Sequence, residues 1–151
     1  MPDNFVKIRG LAAALSAFGE APDIVREEVT EATERAGDAL TKQLATYPAP
    51  PPRSRYVRTG NLRRGWLNAK PIVRDGGGRF ATGSSIVMVT YSNPVTYTPY
   101  VQGDTRQAWM HQGRWDTIGT VQERNEARVR GELETAVRRA ALRITTEAGS
   151  G

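Results

Sequence analysis

A run of prolines near the end of the first third of the chain limits what this sequence can fold into. Residues 47–57 read YPAPPPRSRYV, with prolines at Pro48, Pro50, Pro51 and Pro52. Proline lacks a backbone N–H and fixes φ, so a helix that enters this segment must end, and extended polyproline geometry is favoured. The run therefore predicts a stiff proline-rich connector over residues 47–57, with different structure before and after it.

The segment before the connector, residues 1–46, is predicted to be helical. Residues 11–18 predict a short helix that ends at Gly19, and a long helix follows from Ala21 or Asp23. The apolar face of the long helix is indicated by spacings of three and four, at Val25, Val29, Ala32, Ala36, Ala39, Leu40 and Leu44. Its opposite face carries acidic residues, at Glu27, Glu28, Glu31, Glu34 and Asp38.

The segment after the connector, residues 58–116, predicts a β-hairpin region and a loop. Branched residues indicate one strand over residues 65–74 and another over residues 84–92. The glycine-rich stretch between them is typical of a flexible hairpin tip, so a long hairpin is expected. Residues 93–105 predict a short helix or a third strand, and residues 106–116 predict an irregular loop.

The last part of the chain predicts a second long helix over residues 117–147, followed by a flexible tail over residues 148–151. Thr120 and Glu123 have the spacing of a capping box. Gly131 interrupts the helix at a cost of about 1 kcal/mol relative to Ala, which suggests that another group packs closely there. The whole chain is thus expected to be one α+β domain, with long N-terminal and C-terminal helices packed on a small antiparallel β-sheet with a long hairpin.

The core that this sequence can build is thin. Leu, Ile, Val and Phe together make up about 19% of the chain, near the level at which disorder becomes plausible. The alanine-rich helices still favour folding, and a folded chain with so few bulky residues often completes its burial by oligomerisation. Charge is uneven as well, because residues 1–46 have a net charge of −3 and residues 47–79 a net charge of +7.

The sequence offers little that could carry catalysis. It has no cysteine and a single histidine, His111, which we expect to be a loop or packing residue. Pairs of carboxylates such as Glu27/Glu31 and Glu31/Glu34 could in principle catalyse hydrolysis, but acidic runs on helix faces are usually solvated. No nucleotide or metal motif is present, and no stretch has the roughly 18 apolar residues of a membrane span. We therefore expect no enzyme, no cofactor, no metal and no membrane partner.

The strongly basic segment has two interpretations. Its arginines alternate with aromatic residues, a combination that suits phosphate contacts and base stacking, and equally suits protein interfaces. The arginines concerned are Arg53, Arg55, Arg58, Arg63 and Arg64. Without an accompanying RNA-binding or helix-turn-helix signature, a protein interface is favoured, and a nucleic-acid-contacting accessory module that uses residues 53–64 is the alternative. Most aromatic residues between positions 47 and 115 are expected in the core, with a minority facing a neighbour.

The order of these features resembles a known family. It begins with IRGLAAAL and a long helix, continues with RTGNLRRGW after the proline break, and ends with YTPYVQGDTRQAWMHQGRW and a C-terminal helix. The most telling parts are residues 58–64 and the Tyr97-x-x-Tyr100-Val101-x-Gly103 pattern. Together they resemble the head–tail joining or tail-completion proteins of long-tailed bacteriophages, also called neck or minor tail proteins, over nearly the whole chain.

That resemblance implies a structural virion protein of the neck or tail, assembled in the cytoplasm of the bacterial host. It implies a homo-oligomeric ring, typically a hexamer, between the head-side connector or adaptor and the tail terminator or tail tube. Packaged DNA must pass such a ring, so non-specific DNA contact is expected to be possible. We predict that the basic connector of one subunit meets the acidic helix of the next, with the hairpin tip docking on an adjacent ring. The predicted interface residues are Arg53, Arg55, Arg58, Arg63, Arg64, Glu27, Glu31, Glu34, Arg79 and Phe80.

Overall fold

The computed structural model describes residues 5–9, 22–55, 57–76 and 86–149. Within these ranges the helices and strands follow one another in the order β1 (Phe5–Arg9), α1 (Pro22–Leu44), α2 (Asn61–Leu67), β2 (Ile72–Gly76), β3 (Ile86–Ser92), α3 (Thr98–Gln102) and α4 (Ile118–Ala148). The fold is therefore α+β, as predicted. The short helix predicted over residues 11–18 and the tail residues 150 and 151 lie outside the described residues.

Helix α1 follows the predicted helical pattern closely. Pro22 is its first residue, where the missing N–H costs nothing, and the helix ends at Leu44 before the proline-rich connector. The members of its apolar face that are buried are Val25, Val29, Ala32, Ala36, Leu40 and Leu44. The spacing of three and four residues thus correctly identified the side of α1 that packs into the core.

The sheet has three strands in the order β1-β3-β2. Strands β2 and β3 pair antiparallel, with a register that runs from Ile72 opposite Thr90 to Gly76 opposite Ile86. The ladder covers five residues of β2, and residues 77–85, where the hairpin tip was predicted, lie outside the described residues. The prediction that all of residues 1–46 are helical is wrong at β1, where branched Val6 and Ile8 alternate with basic residues in the period of a strand.

The strand predicted over residues 65–74 is wrong in its first half. Residues Asn61–Leu67 form helix α2, and the strand begins only at Ile72. Leu62 and Trp66 are one helical turn apart and both are buried, so their burial fixes the helix. Two turns with two apolar anchors are too short for a clear helical period, and Gly65 between them suggested a turn instead.

The C-terminal helix is observed as α4, but its predicted cap is wrong. Thr120 lies inside the first turn, and its N–H donates to the Thr117 hydroxyl at 3.2 Å, so Thr117 caps the helix. The Asp104 carboxylate also accepts the N–H of Gly119, at 2.9 Å, which places a negative charge at the positive end of α4. The close packing suggested at Gly131 is wrong too, because a Cβ there would meet open space.

The chain divides into two compact units. Unit 1 comprises Met1–Val6, Asp38–Lys70 and Tyr91–Asn125, and unit 2 comprises Lys7–Gly37, Pro71–Thr90 and Glu126–Gly151. Helices α1 and α4 each contribute residues to both units. Buried apolar residues of unit 1 include Leu40, Leu44, Leu62, Trp66, Tyr91, Val101 and Val121. Those of unit 2 include Val25, Val29, Ala32, Ala36, Val89, Leu133 and Ala140.

Candidate functional site

A buried polar network in unit 1 holds the RTGNLRRGW segment in place. The indole Nε1 of Trp66 donates to Oε1 of Gln102 at 2.7 Å, and Nε2 of Gln102 donates to the carbonyl of Leu44 at 2.8 Å. Asn93 donates from Nδ2 to the carbonyl of Leu62 at 2.9 Å. These bonds tie together the end of α1, helix α2 and helix α3, so the position of the basic segment is set from inside unit 1.

Gly65 is required by the same network. A Cβ at this position would lie 2.1 Å from the Oδ1 of Asn93, far inside van der Waals contact. Asn93 cannot swing away without cost, since its Oδ1 also accepts the backbone N–H of Val95 at 3.1 Å and its Nδ2 is bonded to Leu62. Gly65 is therefore required because the Asn93 side chain lies so close to its Cα. Gly60, with a φ of 74°, is required instead by the turn that precedes α2.

Arg58 is held inside its own unit. Its guanidinium lies 5.4 Å from the ring centre of Tyr47 and 5.3 Å from that of Trp115, and it donates to the carbonyl of Pro48. The Tyr47 and Trp115 rings also meet edge to face, with centroids 5.0 Å apart. Arg58, which was predicted to face a neighbouring subunit, thus connects the start of the proline-rich connector to the loop before α4.

The other arginines of the basic segment are exposed. Arg64 donates to Oδ1 of Asn61 and, at 3.4 Å, to the carbonyl of Thr59, which keeps its side chain close to its own turn. Arg53 and Arg55 lie in the proline-rich connector and Arg63 on α2, and all three are exposed. The structure therefore leaves Arg53, Arg55 and Arg63 as the freely presented cations among the five predicted.

Three acidic residues of α1 form ion pairs within unit 2. Arg143 of α4 contacts Glu27 at 3.1 Å and Glu28 at 3.0 Å, and these hydrogen bonds raise the pKa of Arg143. Glu31 faces Arg35 at 3.8 Å, one helical turn away. Glu34 is half-buried on the same helix. Of the remaining predicted interface residues, Arg79 and Phe80 lie outside the described residues.

Unit 1 also contains a recess with mostly apolar walls, which we call the aromatic recess. Its volume is about 540 Å³, within the usual range of ligand pockets. Its apolar lining includes Tyr47, Leu62, Tyr97, Tyr100, Met110 and Trp115, and prolines of the connector form part of its wall. Two arginines, Arg58 and Arg114, and the imidazole of His111 also line it. The recess thus combines the connector, α2, α3 and the loop before α4.

His111 lies in a turn beside this recess and is half-buried. Its ring meets Trp115 edge to face, and burial together with the nearby Arg114 lowers its pKa, so the imidazole is neutral at pH 7. Its Nδ1 is buried and makes no hydrogen bond to the described residues. No cluster of three potential metal ligands occurs in the part of the chain that the structure describes.

Several aromatic residues face outward rather than into the core. Trp66 and Tyr91 are fully buried, but Trp109 is 81% exposed and Tyr100 is 54% exposed. The expectation that most aromatics between positions 47 and 115 form the core is therefore wrong for the seven that the structure describes, of which only these two are buried. Trp66 and Tyr91 are among the largest fully buried side chains of unit 1, whereas Tyr97, Tyr100 and Trp109 lie at its surface.

No sequence pattern indicated the roles of Gln102 and Asn93. Each bonds a backbone carbonyl distant in sequence, 58 residues away for Gln102 and 31 for Asn93. Such partners become visible only when the fold brings the segments together.

Comparison with known proteins adds no relative. No protein-family model, no curated protein and no solved structure matches the chain. Across the described residues, none of the helices combines the length and the apolar character that crossing a membrane requires.

Proposed function

We propose that this chain is a structural subunit of the neck of a long-tailed bacteriophage, where copies of it form a ring between the head connector and the tail. The proposal is supported by the resemblance of the Arg58–Arg64 and Tyr97–Gly103 segments to head–tail joining proteins. It is supported also by surface features of unit 1 that are more typical of a subunit than of an isolated protein.

The observation that carries the proposal is the exposed apolar surface around Trp109. Trp109 is 81% exposed and its neighbour Met110 is 52% exposed, while Tyr100 contributes a further exposed ring. Isolated exposed apolar residues are common, but a tryptophan left almost fully in water next to other large apolar side chains is typical of an interface. Tryptophan and tyrosine are also the residues most often found at the energetic centre of protein contacts.

Charge then has a secondary part in assembly. Exposed ion pairs contribute under about 1 kcal/mol each, so Arg53, Arg55 and Arg63 would steer approach and fix register, and buried apolar contacts would supply affinity. The acidic half of the predicted head-to-tail contact is less available than expected, because Glu27 and Glu28 are already bonded to Arg143. A carboxylate surface of a flanking protein is therefore a better complement for these arginines than α1 of a neighbouring copy.

Electron microscopy of the purified chain tests the proposal. Negatively stained wild-type protein should show closed rings at micromolar concentration. Trp109→Ser should reduce the fraction of rings, while Leu142→Ser, a matched change at a residue of unit 2 that is 68% exposed, should leave it unchanged. Wild-type images that contain only separate monomers would count against a ring function.

A nucleic-acid-contacting module is the second candidate, and the exposure of Arg53, Arg55 and Arg63 is the observation that favours it. If these three cations each neutralise a phosphate, the logarithm of duplex DNA affinity should fall with the logarithm of salt concentration with a slope of roughly −2.7. A filter or fluorescence titration over a range of salt measures the slope. Lack of measurable binding at about 50 mM salt would remove this candidate.

A further inference from the structure

The aromatic recess has the walls of a site for an apolar side chain. Tyr97 and Tyr100 of the α3 region, Met110 of the loop before α4 and Leu62 of α2 all line it. Its volume of about 540 Å³ exceeds what one aromatic side chain needs and leaves room for the flanking backbone. Because the prolines of the connector form part of the wall, this side of the recess is stiff, which reduces the entropy that an occupant must overcome.

The charge of the recess is one-sided. Arg58 and Arg114 line it, and none of the described residues that line it is acidic. The two acidic residues that flank the loop before α4 are engaged elsewhere, since Asp104 accepts the N–H of Gly119 and Asp116 forms a two-bond pair with Arg124 at 2.9 Å. Neither Arg58 nor Arg114 forms an ion pair with any residue that the structure describes. An apolar cavity with two unneutralised guanidinium groups is complementary to an occupant that is both apolar and anionic.

We propose that the aromatic recess binds a segment of a partner protein that presents an aromatic or large aliphatic side chain flanked by carboxylates. The apolar side chain enters between the Tyr and Met side chains, and the carboxylates meet the guanidinium groups of Arg58 and Arg114. The inference deepens the proposed neck function, on which it rests for the identity of the partner as a flanking protein. A peptide is favoured over a nucleic acid, because the recess offers two cations rather than a basic track along a phosphate backbone.

The single histidine of the chain provides a direct assay. Because His111 lines the recess and the sequence contains no other histidine, its ring C–H signals in a proton NMR spectrum are unambiguous. The full-length chain is titrated with acetyl-Asp-Trp-Asp-amide and, as a matched neutral probe, with acetyl-Asn-Trp-Asn-amide. The acidic peptide should shift the His111 signal saturably, with a dissociation constant in the millimolar range, about three- to tenfold below that of the neutral peptide.

Variants that remove one arginine show which side chain causes the preference for the acidic peptide. Arg114→Gln should abolish most of the difference between the two peptides, and Arg114→Lys should retain part of it. Arg128→Gln, which removes an exposed arginine of unit 2, is the matched control and should leave both affinities unchanged. Equal affinity for both peptides, or an unchanged preference in Arg114→Gln, would overturn the proposal.

Two further measurements distinguish an acidic peptide from the other possible occupants, a nucleic acid and a second copy of the chain. Octathymidylate that binds the recess more tightly than the acidic peptide would overturn the proposal in favour of nucleic acid. Failure of both peptides to perturb the His111 signal once rings have formed, although they perturb it in the monomer, would assign the recess to a second copy of the chain and overturn the proposal likewise. The peptide measurements detect binding whether or not the chain forms rings, so a failed ring assembly and a failed peptide site give different results.

Discussion

The indole Nε1 of Trp66 donates a hydrogen bond of 2.7 Å to Oε1 of Gln102, and both side chains are almost completely buried. Nε2 of Gln102 in turn donates a hydrogen bond to the carbonyl of Leu44 at the end of α1. One side chain of a five-residue helix therefore satisfies two buried polar groups from different elements. Buried polar groups are costly when unpaired, so this relationship should dominate the local stability of unit 1.

Replacing Gln102 by Leu tests that relationship. The change leaves the Trp66 N–H and the Leu44 carbonyl unpaired, so the free energy of unfolding should fall by about 2–4 kcal/mol. Urea unfolding followed by circular dichroism measures it, and Gln112→Leu on the exposed loop should change stability by less than about 0.5 kcal/mol. In a double-mutant cycle, Trp66→Phe with Gln102→Leu should cost less than the sum of the single changes. Strict additivity would show that the two groups are not coupled.

Two glycine substitutions should have opposite effects. Gly65→Ala places a Cβ against the anchored Asn93 side chain and should destabilise by about 1–3 kcal/mol. Gly131→Ala adds a Cβ in open space on α4 and should stabilise by up to about 1 kcal/mol, the difference in helix propensity. Thermal unfolding of the two variants provides the comparison. Stabilisation by Gly65→Ala would contradict the packing described around Asn93.

The contacts of Arg58 with the rings of Tyr47 and Trp115 predict a loss of stability when the arginine is removed. Arg58→Met keeps the length of the side chain but loses both cation–ring contacts and the bond to the Pro48 carbonyl, so it should destabilise by about 1–2 kcal/mol. Arg63→Met, at an exposed position of the same segment, should remain within about 0.5 kcal/mol of wild type. Chemical unfolding measures both, and equal effects at the two positions would argue against the ring contacts.

His111 should give stability a pH dependence of known sign. Burial, and to a lesser extent Arg114, lowers the pKa of His111, so the unfolded chain binds this proton more readily than the folded chain. The neutral imidazole therefore contributes fully to the free energy of unfolding above the unfolded pKa of about 6.5. This contribution is lost as the pH falls through the lower pKa of the folded chain. An NMR titration of His111 should give a midpoint below 6.5. Arg114→Gln should raise this midpoint only in part, and a wild-type midpoint above 6.5 would contradict the assignment.

The two long helices could be predicted from the sequence because their apolar residues repeat over many turns. Helix α2 could not be predicted, because its seven residues contain only Leu62 and Trp66 as buried anchors. Its glycine, Gly65, is required by a close contact with Asn93, which lies 28 positions further along the chain. Strand β1 was missed because the alanine-rich stretch that follows it suggested a helix for the whole N-terminal part. In each case a contact made in the folded chain decided against the local pattern.

The predicted interface residues show the same limit. Charge along the sequence identified a basic segment, and four of its five predicted interface arginines are exposed. It could not show that Arg58 contacts the rings of both Tyr47 and Trp115, or that Arg143 pairs with Glu27 and Glu28, because these contacts form only in the folded chain. The aromatic recess was invisible in the sequence for the same reason.

Reversal of charge at α2 should weaken attachment of the ring to a flanking neck protein without unfolding the chain. In Arg63→Glu/Arg64→Glu, repulsion replaces attraction towards a carboxylate surface of that protein, so the association constant for the attachment should fall at least about tenfold while the circular dichroism spectrum stays that of wild type. Arg138→Glu/Arg139→Glu, an adjacent and equally exposed pair on α4, is the matched control and should attach normally.

Sedimentation equilibrium of the wild-type chain tests the central claim most directly. Assembly into a ring predicts a mass that is a fixed integral multiple of the 16.6 kDa chain and that stays constant over a wide range of micromolar concentrations. A mass of 16.6 kDa at every concentration would contradict the proposed ring.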